Sequence, residues 1–584
     1  MPSAQEVEAL LTGPGGMFEV VVEDVRSRPT RVYKNRMPSL REVLSLGRAR
    51  GEETFLVYRD RRVSFGDFGD QADQVARALA GRHGVGPGDR VAVLSANNPE
   101  WCVSFWATVS LGAVLVGLNG WWKADEVVYG LVDSGAKVLV ADGPRFERLA
   151  GRLSECPALE AVYVIDPEAK EEAFSGNVHR FDELLTRSQA EGQVGGDVPD
   201  TAGLDPLAAP IDEDDPAVIL YTSGTTGRAK GAVSTHRSMI ANLQNTIYSV
   251  MASTMVHEGG GVLPEGGPLV ALLTSPLFHV SGCHSVLVVG MAAGSRVVIP
   301  AGRFEPVAAM ALIEQERVTT WVTVPTMIWR VVEHPERHRF DLSSVVTVAY
   351  GGSPAAVELQ RRIREAFPNL RSQGNAYGLT ETSSAATYNA GAELARRPDS
   401  VGRPFPIIEL RVVDAELRDV APGTVGEVLV HGPTLMPGYW NDPSATSEAL
   451  ADGWLRTGDL GYLDDEGYLY ITDRAKDVII RGGENVYCTE IENRLAEHEE
   501  VVEAAVIGVP HPTLGEEVKA VVRVEPGSQL SAADVQRFVA ATLADFKVPA
   551  HVAFTEEPLP RNASGKLLKD ILRGRADPDL ADSL

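Results

Sequence analysis

Short apolar runs alternate with helix-periodic segments along the first two thirds of the chain. After Ser64, one helical face collects Phe65, Phe68, Ala72, Val75, Ala76 and Leu79. That spacing predicts an amphipathic helix, and the run VAVLS at 91–95 predicts a buried strand. A helix from Pro99 and a strand at 138–141 continue the alternation. Because strands that alternate with helices form parallel sheets with crossover helices, the predicted fold class is α/β.

The same signals predict further elements. Ser39 and Glu42 form a capping-box pattern, which predicts a short helix. Helices are also predicted at 306–316 and 354–367, and strands at 321–324 and 345–350. The stretch at 190–216, rich in Gly, Pro and Asp, is predicted to be a solvated connector, and the Gly-rich stretch at 257–268 an exposed loop.

The pattern changes in the last third of the chain. From about Leu410 to Gly467, short strands and turns are indicated by APGTVGEV and DDEGYLY. Beyond Asp473 a smaller α+β unit is predicted, with helices at 489–498 and 532–543 and strands at 504–508 and 518–524. We therefore expect a large N-terminal part with doubly wound sheets and a β-rich subdomain, followed by a small α+β domain.

Size and charge limit the classes of partner. A chain of 584 residues is long enough for three or four structural units and a large core. Its 54 basic residues are outnumbered by 80 acidic ones, for a net charge of −26. Because a field of that sign repels nucleic acid and anionic lipid, neither is expected as a partner. An anionic ligand must therefore be held by a local site.

The cysteines and the N-terminal residues indicate in which cellular compartment the protein is expected. No spacing typical of a disulfide framework or a zinc site joins Cys102, Cys156, Cys283 and Cys488. The first residues, MPSAQEVEALL, carry acids where a signal peptide has basic residues. The uncharged stretch at 101–118 is interrupted by Ser, Thr and Gly, which favours a buried helix and strand over a membrane span. We expect a cytoplasmic protein without integral membrane association.

A candidate ligand loop follows an apolar run at YTSGTTGRAKG, residues 221–231, in which seven residues are Ser, Thr or Gly. Small hydroxyl-bearing residues after a strand leave N–H and O–H groups free to wrap a polyanion, with Lys230 as counter-charge. The stretch lacks the Walker spacing. It is predicted to be a phosphate loop of another kind, although such a stretch is also typical of a surface turn.

Further motifs follow in a fixed order: PLFH at 276–279, YGLTET at 377–382, TGDLG at 457–461, DRAKDVIIRGGENV at 473–486 and PRNASGK at 560–566. Together with the loop they resemble the acyl-adenylate-forming superfamily, and within it the acyl-CoA synthetases, from about Leu40 to Leu572. The resemblance implies ATP, Mg²⁺ and CoA as cofactors and a small-molecule carboxylic acid as substrate. The acid would be joined to AMP with release of pyrophosphate, and its acyl group then transferred to CoA.

The resemblance assigns roles to individual residues. Thr380 would reach the α-phosphate, and Glu381 would hold Mg²⁺ with Thr222 as a hydroxyl partner. Asp459 would bind the ribose hydroxyls, and Arg474 the ribose or a phosphate. The β- and γ-phosphates would be clamped by Thr222, Ser223, Gly224, Thr225, Thr226, Gly227 and Lys230. The adenine pocket would be formed by Gly352, Ser353, Pro354, Asn375, Ala376 and Tyr377.

The C-terminal unit would serve two half-reactions. Lys566 resembles the lysine that holds the substrate carboxylate against the α-phosphate. A pivot is implied at Lys476, which divides an AMP-binding domain at 1–475 from a mobile C-terminal domain at 476–584. Rotation would withdraw Lys566 and present RGGENV, so that Gly482 and Gly483 contact the pantetheine of CoA.

The acyl end of the site is implied by a separate set of residues. His279 resembles the aromatic gate between the acyl pocket and the thiol channel. Cys283 stands where some long-chain enzymes carry a gate tryptophan, so the chain length of the acid is left open. The acyl pocket itself would be lined by Val324, Pro325, Gly351, Gly352 and Gly378.

Two other segments depart from the family pattern. Ala229 stands where a proline is common before the lysine of the phosphate loop, which predicts a less rigid loop. Trp121 and Trp122 follow Gly120 where an Asn-Pro pair is usual. The tandem tryptophans are interpreted as helix packing, a pocket cap or a contact in a homodimer.

Three hypotheses for the function follow. The first is an ATP-dependent CoA ligase for a hydrophobic acid that is fatty, branched or ring-bearing. The second is an aryl-CoA ligase or an adenylating enzyme that loads a carrier-protein thiol, although RGGENV favours CoA. The third is an inactive nucleotide-binding scaffold. That reading is opposed by the joint presence of Lys230, Glu381, Asp459, Arg474 and Lys566.

Overall fold

The computed structural model of the protein describes residues 2–149, 151–165, 176–186, 205–222, 228–256, 267–353, 355, 357–562 and 566–576. Within these ranges the helices are α1 (Ala4–Thr12), α2 (Leu40–Arg48), α3 (Phe65–His83), α4 (Pro99–Ser110), α5 (Ala124–Ser134), α6 (Gly143–Phe146), α7 (His236–Val256), α8 (Val280–Gly282), α9 (Val289–Ala293), α10 (Pro306–Glu316), α11 (Pro325–Val332), α12 (Val357–Ala366), α13 (Gly391–Arg396), α14 (Pro443–Ala449), α15 (Cys488–Ala496), α16 (Ala532–Ala540) and α17 (Lys569–Leu572). A π-helix, Cys283–Val288, joins α8 to α9.

The strands within the same ranges are β1 (Val20–Val25), β2 (Arg28–Tyr33), β3 (Thr54–Tyr58), β4 (Arg61–Ser64), β5 (Arg90–Leu94), β6 (Val114–Gly117), β7 (Val138–Asp142), β8 (Ala161–Ile165), β9 (Val178–Arg180), β10 (Pro216–Thr222), β11 (Lys230–Thr235), β12 (Val270–Leu272), β13 (Arg296–Ile299), β14 (Thr320–Thr323), β15 (Thr347–Gly351), β16 (Ser372–Leu379), β17 (Ser384–Ala390), β18 (Arg403–Pro404), β19 (Glu409–Val413), β20 (Gly426–His431), β21 (Leu450–Ala451), β22 (Trp454–Leu463), β23 (Leu469–Arg474), β24 (Ile479–Arg481), β25 (Glu484–Val486), β26 (Val501–His511), β27 (Gly515–Val524) and β28 (His551–Thr555).

Two large sheets make up most of the N-terminal part. The seven-stranded sheet has the order β11-β10-β6-β5-β7-β8-β9 and is parallel except for β11. The nine-stranded sheet has the order β18-β17-β16-β15-β14-β12-β13-β3-β4, with antiparallel strands at both edges and parallel strands between. These sheets confirm the predicted α/β class.

Helices cover both faces of the seven-stranded sheet. On β5, Val91 and Val93 pack into the apolar cluster that includes α3 and α4, whereas Ala92 and Leu94 pack into the cluster that includes α5. Successive side chains of a strand point to opposite faces, so a strand buried on both sides is apolar throughout. The doubly wound arrangement therefore explains the run VAVL.

Two smaller sheets follow. One has the order β19-β20-β22-β21 with β23 beside β22, and its antiparallel pairing agrees with the turn-rich pattern of this region. The other has the order β25-β24-β27-β26 with β28 beside β27. Helices α15 and α16 bury their apolar residues against this last sheet in a cluster of its own. The last unit therefore has a separate core.

Most predicted elements are present with shifted ends. The amphipathic helix is α3, which is capped by the Ser64 side chain and ends at Gly84 with a φ of 58°. The uncharged stretch at 101–118 forms α4 and β6, as predicted. Parts of the predicted connector and of the predicted Gly-rich loop, residues 190–204 and 257–266, lie outside the described residues.

The N-terminal segment differs from expectation in two respects. The capping box at Ser39 is incomplete. The Ser39 hydroxyl accepts the Arg41 N–H at 3.2 Å. The Glu42 carboxylate accepts a hydrogen bond from this hydroxyl and not from the Ser39 N–H. A complete capping box occurs at Ser3 and Glu6 and starts α1, which the periodicity did not predict. Among the described helices, none has the length and apolar character needed to cross a membrane.

The cap of α3 can be tested by a matched pair of substitutions. Ser64→Ala removes the acceptor of the Asp67 N–H at 3.0 Å and should lower the free energy of unfolding by about 1 kcal/mol. Gly81→Ala adds a methyl group that meets nothing within 4 Å and should raise it by up to about 1 kcal/mol. Urea unfolding, monitored by circular dichroism, measures both changes in the free energy of unfolding. Equal stability of the two variants would contradict the roles assigned to the Ser64 cap and to Gly81 in α3.

Candidate active site

The ends of the two large sheets meet at the loop that carries PLFH. A Cβ on Gly117, the last residue of β6, would lie 3.3 Å from the Phe278 Cα. The side chain of Asn97, which follows β5, donates to the Ser275 carbonyl and accepts the Leu277 N–H, both at 2.9 Å. An amide from one sheet therefore holds the loop that emerges from the other. The carboxyl ends of parallel strands are where α/β sheets bind ligands.

The phosphate loop connects two antiparallel strands. Thr222 at the end of β10 pairs with Lys230 at the start of β11, so the loop closes a β-hairpin. The returning strand is fixed by the Trp440 N–H, which donates to the Gly231 carbonyl at 2.7 Å. The hairpin thus positions both ends of the predicted phosphate clamp. The remaining predicted members, Ser223, Gly224, Thr225, Thr226 and Gly227, lie outside the described residues.

Tyr439 connects Glu381 with Lys230. Its hydroxyl donates to Glu381 Oε1 at 2.7 Å, and the Lys230 Nζ lies 5.3 Å from the centre of its ring. Burial, with the neighbouring Glu381 carboxylate, raises the Tyr439 pKa far above its usual range, so the phenol stays protonated and remains a donor. Thr380 and Glu381 form the short turn that follows β16. The predicted metal ligand and the predicted phosphate-binding lysine therefore share one aromatic residue.

The predicted adenine pocket lies across two neighbouring parallel strands. Gly351 of β15 is in register with Ala376 of β16, and a Cβ on Gly351 would lie 2.5 Å from the Ala376 carbonyl oxygen. Gly352 follows with a φ of 81°, a conformation that favours glycine. The pocket wall thus consists largely of backbone. Ser353 follows Gly352 and Asn375 is buried beside Ala376, whereas Pro354 lies outside the described residues.

The predicted ribose ligands form a cluster around the buried Asp459 carboxylate. Asp459 on β22 is in register with Arg474 on β23, and the Arg474 Nε lies 2.9 Å from Asp459 Oδ1. The other carboxylate oxygen accepts the Tyr377 hydroxyl at 2.8 Å. Burial and the Asp459 charge raise the Tyr377 pKa well above its usual range, which keeps this phenol protonated. The cluster joins the nine-stranded sheet to the β-rich subdomain.

Lys566 of the C-terminal unit interacts electrostatically with this cluster. Burial lowers the Lys566 pKa to about 8, with further lowering by Arg474 and opposition from Asp459, both of which are close enough to act on its charge. The backbone around it is held by the Lys566 N–H, which donates to the Asn562 side chain at 2.9 Å. The structure therefore brings a lysine from the last motif to residues of two earlier motifs.

The predicted pivot and thiol-contacting residues lie at the surface. Lys476 is exposed in the turn after β23. Gly482 and Gly483 are exposed at the tip of the hairpin formed by β24 and β25, with φ values of 62° and 93°. The next residue after Lys476, Asp477, forms an ion pair of 2.9 Å with Arg573. This ion pair ties the segment beyond Lys566 to the start of the C-terminal unit.

His279 lies at the end of a row of aromatic side chains. Its ring centre is 4.9 Å from that of Phe278, which is 5.2 Å from that of Trp121. The Arg145 guanidinium lies 5.6 Å from the Trp121 ring. Burial lowers the His279 pKa to about 4, so its imidazole is neutral at pH 7. Trp121 therefore packs against the residue that precedes the predicted gate.

Trp122 has a separate packing role. Its ring centre lies 5.4 Å from that of Tyr221, and its ring atoms occupy the space that a Cβ on Gly130 of α5 would need. This contact agrees with the helix-packing interpretation of the tandem tryptophans.

The family is decided by comparison with known proteins. The sequence model of the AMP-binding enzyme family matches residues 45–440. The sequence model of the AMP-binding enzyme C-terminal domain matches residues 490–566. The chain belongs to the AMP-binding enzyme family. The superfamily resemblance of the six motifs is thereby confirmed.

Relatives of this AMP-binding enzyme act on several kinds of acid. The feruloyl-CoA synthase of Amycolatopsis sp. is 35% identical over 517 residues, which cover 87% of this chain and 93% of that protein. The long-chain-fatty-acid–CoA ligase of Bacillus subtilis (strain 168) is 30% identical over 552 residues, which cover 91% and 93%. The crystal structure of the anthranilate CoA ligase AuaEII in complex with anthranoyl-AMP is similar with a TM-score of 0.79 and 25% identity, covering 92% of this chain and 96% of that chain.

These relatives establish the class of enzyme. The AMP-binding enzyme is an acid–thiol ligase of the AMP-forming type, related to acyl-CoA and aryl-CoA ligases. Its cofactors are those of that class, ATP, Mg²⁺ and CoA.

Two residues that the sequence reasoning missed support the site. Tyr439 lies in PGYWN and Asn97 in NNP, and both segments resemble ordinary turns. The aromatic pair after Pro437 and Gly438 was a usable signal, because a turn exposed to solvent rarely needs two large rings. Asn97 carried no comparable signal, since its partners are backbone groups 178 and 180 positions away.

The Asn97 amide offers a test of how the PLFH loop is held. Asn97→Ala leaves the Ser275 carbonyl and the Leu277 N–H without this partner and should lower the free energy of unfolding by about 1–3 kcal/mol. Asn369→Ala is the matched control, because its side chain makes one exposed hydrogen bond, to the Ser343 carbonyl. That variant should stay within about 0.5 kcal/mol of the parent in the same urea experiment. Equal effects of the two substitutions would contradict the proposal that the Asn97 side chain holds the PLFH loop.

Proposed function

We propose that this AMP-binding enzyme converts a hydrophobic carboxylic acid into its acyl-CoA thioester through an acyl-AMP, at one site. The observation that carries the proposal is the electrostatic interaction of Lys566, which belongs to the unit with its own core, with Asp459 and Arg474. A cation that a separate unit brings to the nucleotide can align two anions and can later be withdrawn. The domain boundary follows at Lys476, with residues 1–475 binding the nucleotide and 476–584 carrying the lysine.

In the first half-reaction, a carboxylate oxygen of the acid bonds to the α-phosphorus of ATP. The bond from that phosphorus to the bridging oxygen breaks, and its electron pair leaves with pyrophosphate. Lys566 offsets the repulsion between the two anions that must meet. Lys230, with the Thr222 hydroxyl, stabilises the charge that develops on the leaving pyrophosphate. Asp459 and Arg474 hold the ribose and fix the α-phosphate in place.

The residues near Glu381 fit a magnesium ion. Bound Mg²⁺ neutralises charge shared between phosphate oxygens. The described residues contain no group of three His, Cys, Asp or Glu side chains that could hold a metal by themselves. A magnesium ion shared with phosphates needs only one or two protein oxygens, so the Glu381 carboxylate with the Thr222 hydroxyl is a sufficient set. The hydrogen bond from Tyr439 orients that carboxylate.

In the second half-reaction, the sulfur of CoA bonds to the acyl carbonyl carbon. The bond from that carbon to the AMP oxygen breaks, and the thiol proton passes to solvent. Rotation about Lys476 would replace Lys566 with the hairpin tip at Gly482 and Gly483. Glycine at those positions leaves the backbone open to pantetheine. His279, neutral at pH 7, closes the acyl pocket without adding a charge.

The substrate proposed is a hydrophobic acid, fatty or ring-bearing. Phe278 and Trp121 beside His279 support an apolar ligand at this end of the site. Relatives named for feruloyl-CoA and for long-chain fatty acids are consistent with both chemistries. The enzyme is further proposed to work in the reducing cytoplasm, because its four cysteines are all unpaired and buried.

A panel of acids tests the proposed function. Pyrophosphate release is measured for aliphatic, branched and aromatic acids with ATP and Mg²⁺, with and without CoA. Release that depends on an acid and increases with CoA is expected. Turnover that CoA does not stimulate would favour loading of a carrier-protein thiol. A lack of acid-dependent release across the whole panel would favour an inactive nucleotide-binding scaffold.

Lys566 should separate the two half-reactions. Lys566→Ala should slow acyl-AMP formation by at least about a hundredfold and leave thioester formation from preformed acyl-AMP unchanged. Lys547→Ala, in the same unit but paired with Glu490 at 2.6 Å, is the control and should change neither. Equal loss of both half-reactions in Lys566→Ala would contradict the rotating unit.

The pH dependence gives a second measure of the same residue. The cation of Lys566 is present below a pKa of about 8 and is lost as the pH rises through that value. The kcat/KM for acyl-AMP formation, which reports the free enzyme, should therefore decline above about pH 8. In Lys566→Arg the decline should move to higher pH, because arginine keeps its charge. An unchanged decline in Lys566→Arg would assign it to another group.

A further inference from the structure

The Asp473 carboxylate joins the two sides of the proposed pivot. Asp473 lies on β23, three residues before Lys476, in the part proposed to bind the nucleotide. Its Oδ2 atom accepts a hydrogen bond of 2.5 Å from the Cys488 N–H. Cys488 is the first residue of α15, which packs in the separate core of the C-terminal unit. Because Asp473 is only 5% exposed, a buried, charge-assisted hydrogen bond crosses the pivot.

Helix α15 receives its N-terminal cap from this carboxylate. Tyr487 occupies the N-cap position and, within the described residues, its side chain makes no capping hydrogen bond. The N–H groups in the first turn of a helix have no partner inside the helix, and the helix dipole favours an acidic side chain beside them. Asp473 supplies this partner from the other side of the pivot. The helix is thus capped by a residue outside its own unit.

A short route connects α15 to Lys566. Lys569, three residues after Lys566, forms an ion pair of 2.8 Å with Glu492 of α15. Both partners are mostly buried, with 12% of the Lys569 side chain and 19% of the Glu492 side chain exposed. The charge of Lys569 also interacts with that of Asp473. The segment that carries Lys566 is therefore tied to α15, and α15 is tied to Asp473.

We propose that Asp473 is a positioning residue for the first half-reaction, because its bond to the Cys488 N–H holds the C-terminal unit in the orientation that brings Lys566 to the nucleotide. This inference rests on the proposed function. Rotation about Lys476 moves Cys488 relative to Asp473, and a hydrogen bond weakens steeply when its geometry changes. The orientation that serves thioester formation therefore lacks this bond. Asp473 favours acyl-AMP formation and releases α15 before CoA reacts.

The bond sets the balance between the two orientations. Each half-reaction proceeds from its own orientation, so the ratio of the two rates follows the equilibrium between them. Loss of a buried acceptor that caps a helix corresponds to about a tenfold change in such an equilibrium. Removing the bond should shift the ratio by that factor in favour of thioester formation. A residue that only stabilised the fold would instead lower both rates together.

Single-turnover rates of the two half-reactions test the proposal. Acyl-AMP formation is measured with ATP, Mg²⁺ and the most active acid of the panel, and thioester formation with CoA and the acyl-AMP of that acid. Asp473→Ala should lower the ratio of acyl-AMP formation to thioester formation about tenfold. Asp473→Asn keeps an oxygen acceptor at the same place and should give a smaller change. Ser531→Ala removes the cap of α16 inside the C-terminal unit and should leave the ratio unchanged.

A variant of the donor keeps the test valid if Asp473→Ala disturbs folding. Cys488→Pro removes the N–H at the first position of α15, where proline is well tolerated, and should change the ratio in the same direction. Cys488→Ala keeps the N–H and is its matched control, with an unchanged ratio expected. An unchanged ratio in a folded Asp473→Ala or Cys488→Pro variant, or equal slowing of both half-reactions, would overturn the positioning role and leave the ligase function intact. A lack of pyrophosphate release with every acid of the panel would overturn the proposed function and this inference with it.

Discussion

The assembly of the candidate site depends on the hydrogen bond and the ion pair that the Asp459 carboxylate makes. Its two oxygens bind the Tyr377 hydroxyl and the Arg474 guanidinium, and its charge acts on Lys566. These partners come from the nine-stranded sheet, the β-rich subdomain and the C-terminal unit. Charge-assisted hydrogen bonds are stronger than neutral ones, and a buried carboxylate without partners is costly. Residues from all three parts therefore interact with one buried anion.

The candidate site brings cations together within a molecule whose net charge is negative. A chain with a net charge of −26 would repel ATP and a carboxylate. Lys230, Arg474 and Lys566 supply cations at the site, and only Lys566 belongs to the unit that is proposed to move. Moving one lysine changes the charge of the site without disturbing the other two. The proposed rotation would thus change the electrostatic potential at the bound acid.

Sequence patterns predicted the layers of the fold, but they did not predict the contacts that hold the candidate site residues. Periodicity identified α3 and the buried run of β5 because local spacing determines which face is apolar. Motif resemblance assigned Glu381, Asp459 and Lys566 to one candidate site although they are far apart in the chain. It did not predict that the phosphate loop closes a hairpin, or that Tyr439 and Asn97 hold site residues. Those contacts join distant backbone and side-chain groups, which leave no local pattern.

The nucleotide half of the site is built mainly by backbone. Gly351 touches the Ala376 carbonyl, and the Trp440 N–H holds the Gly231 carbonyl, so the identity of many surrounding side chains has little influence on their positions. The proposed acyl end has side chains such as Phe278 and Trp121 beside His279. Substitutions there can reshape the pocket while the nucleotide chemistry stays intact. The two ends can therefore diverge at different rates, and one adenylating scaffold can acquire new acids through a few side-chain replacements.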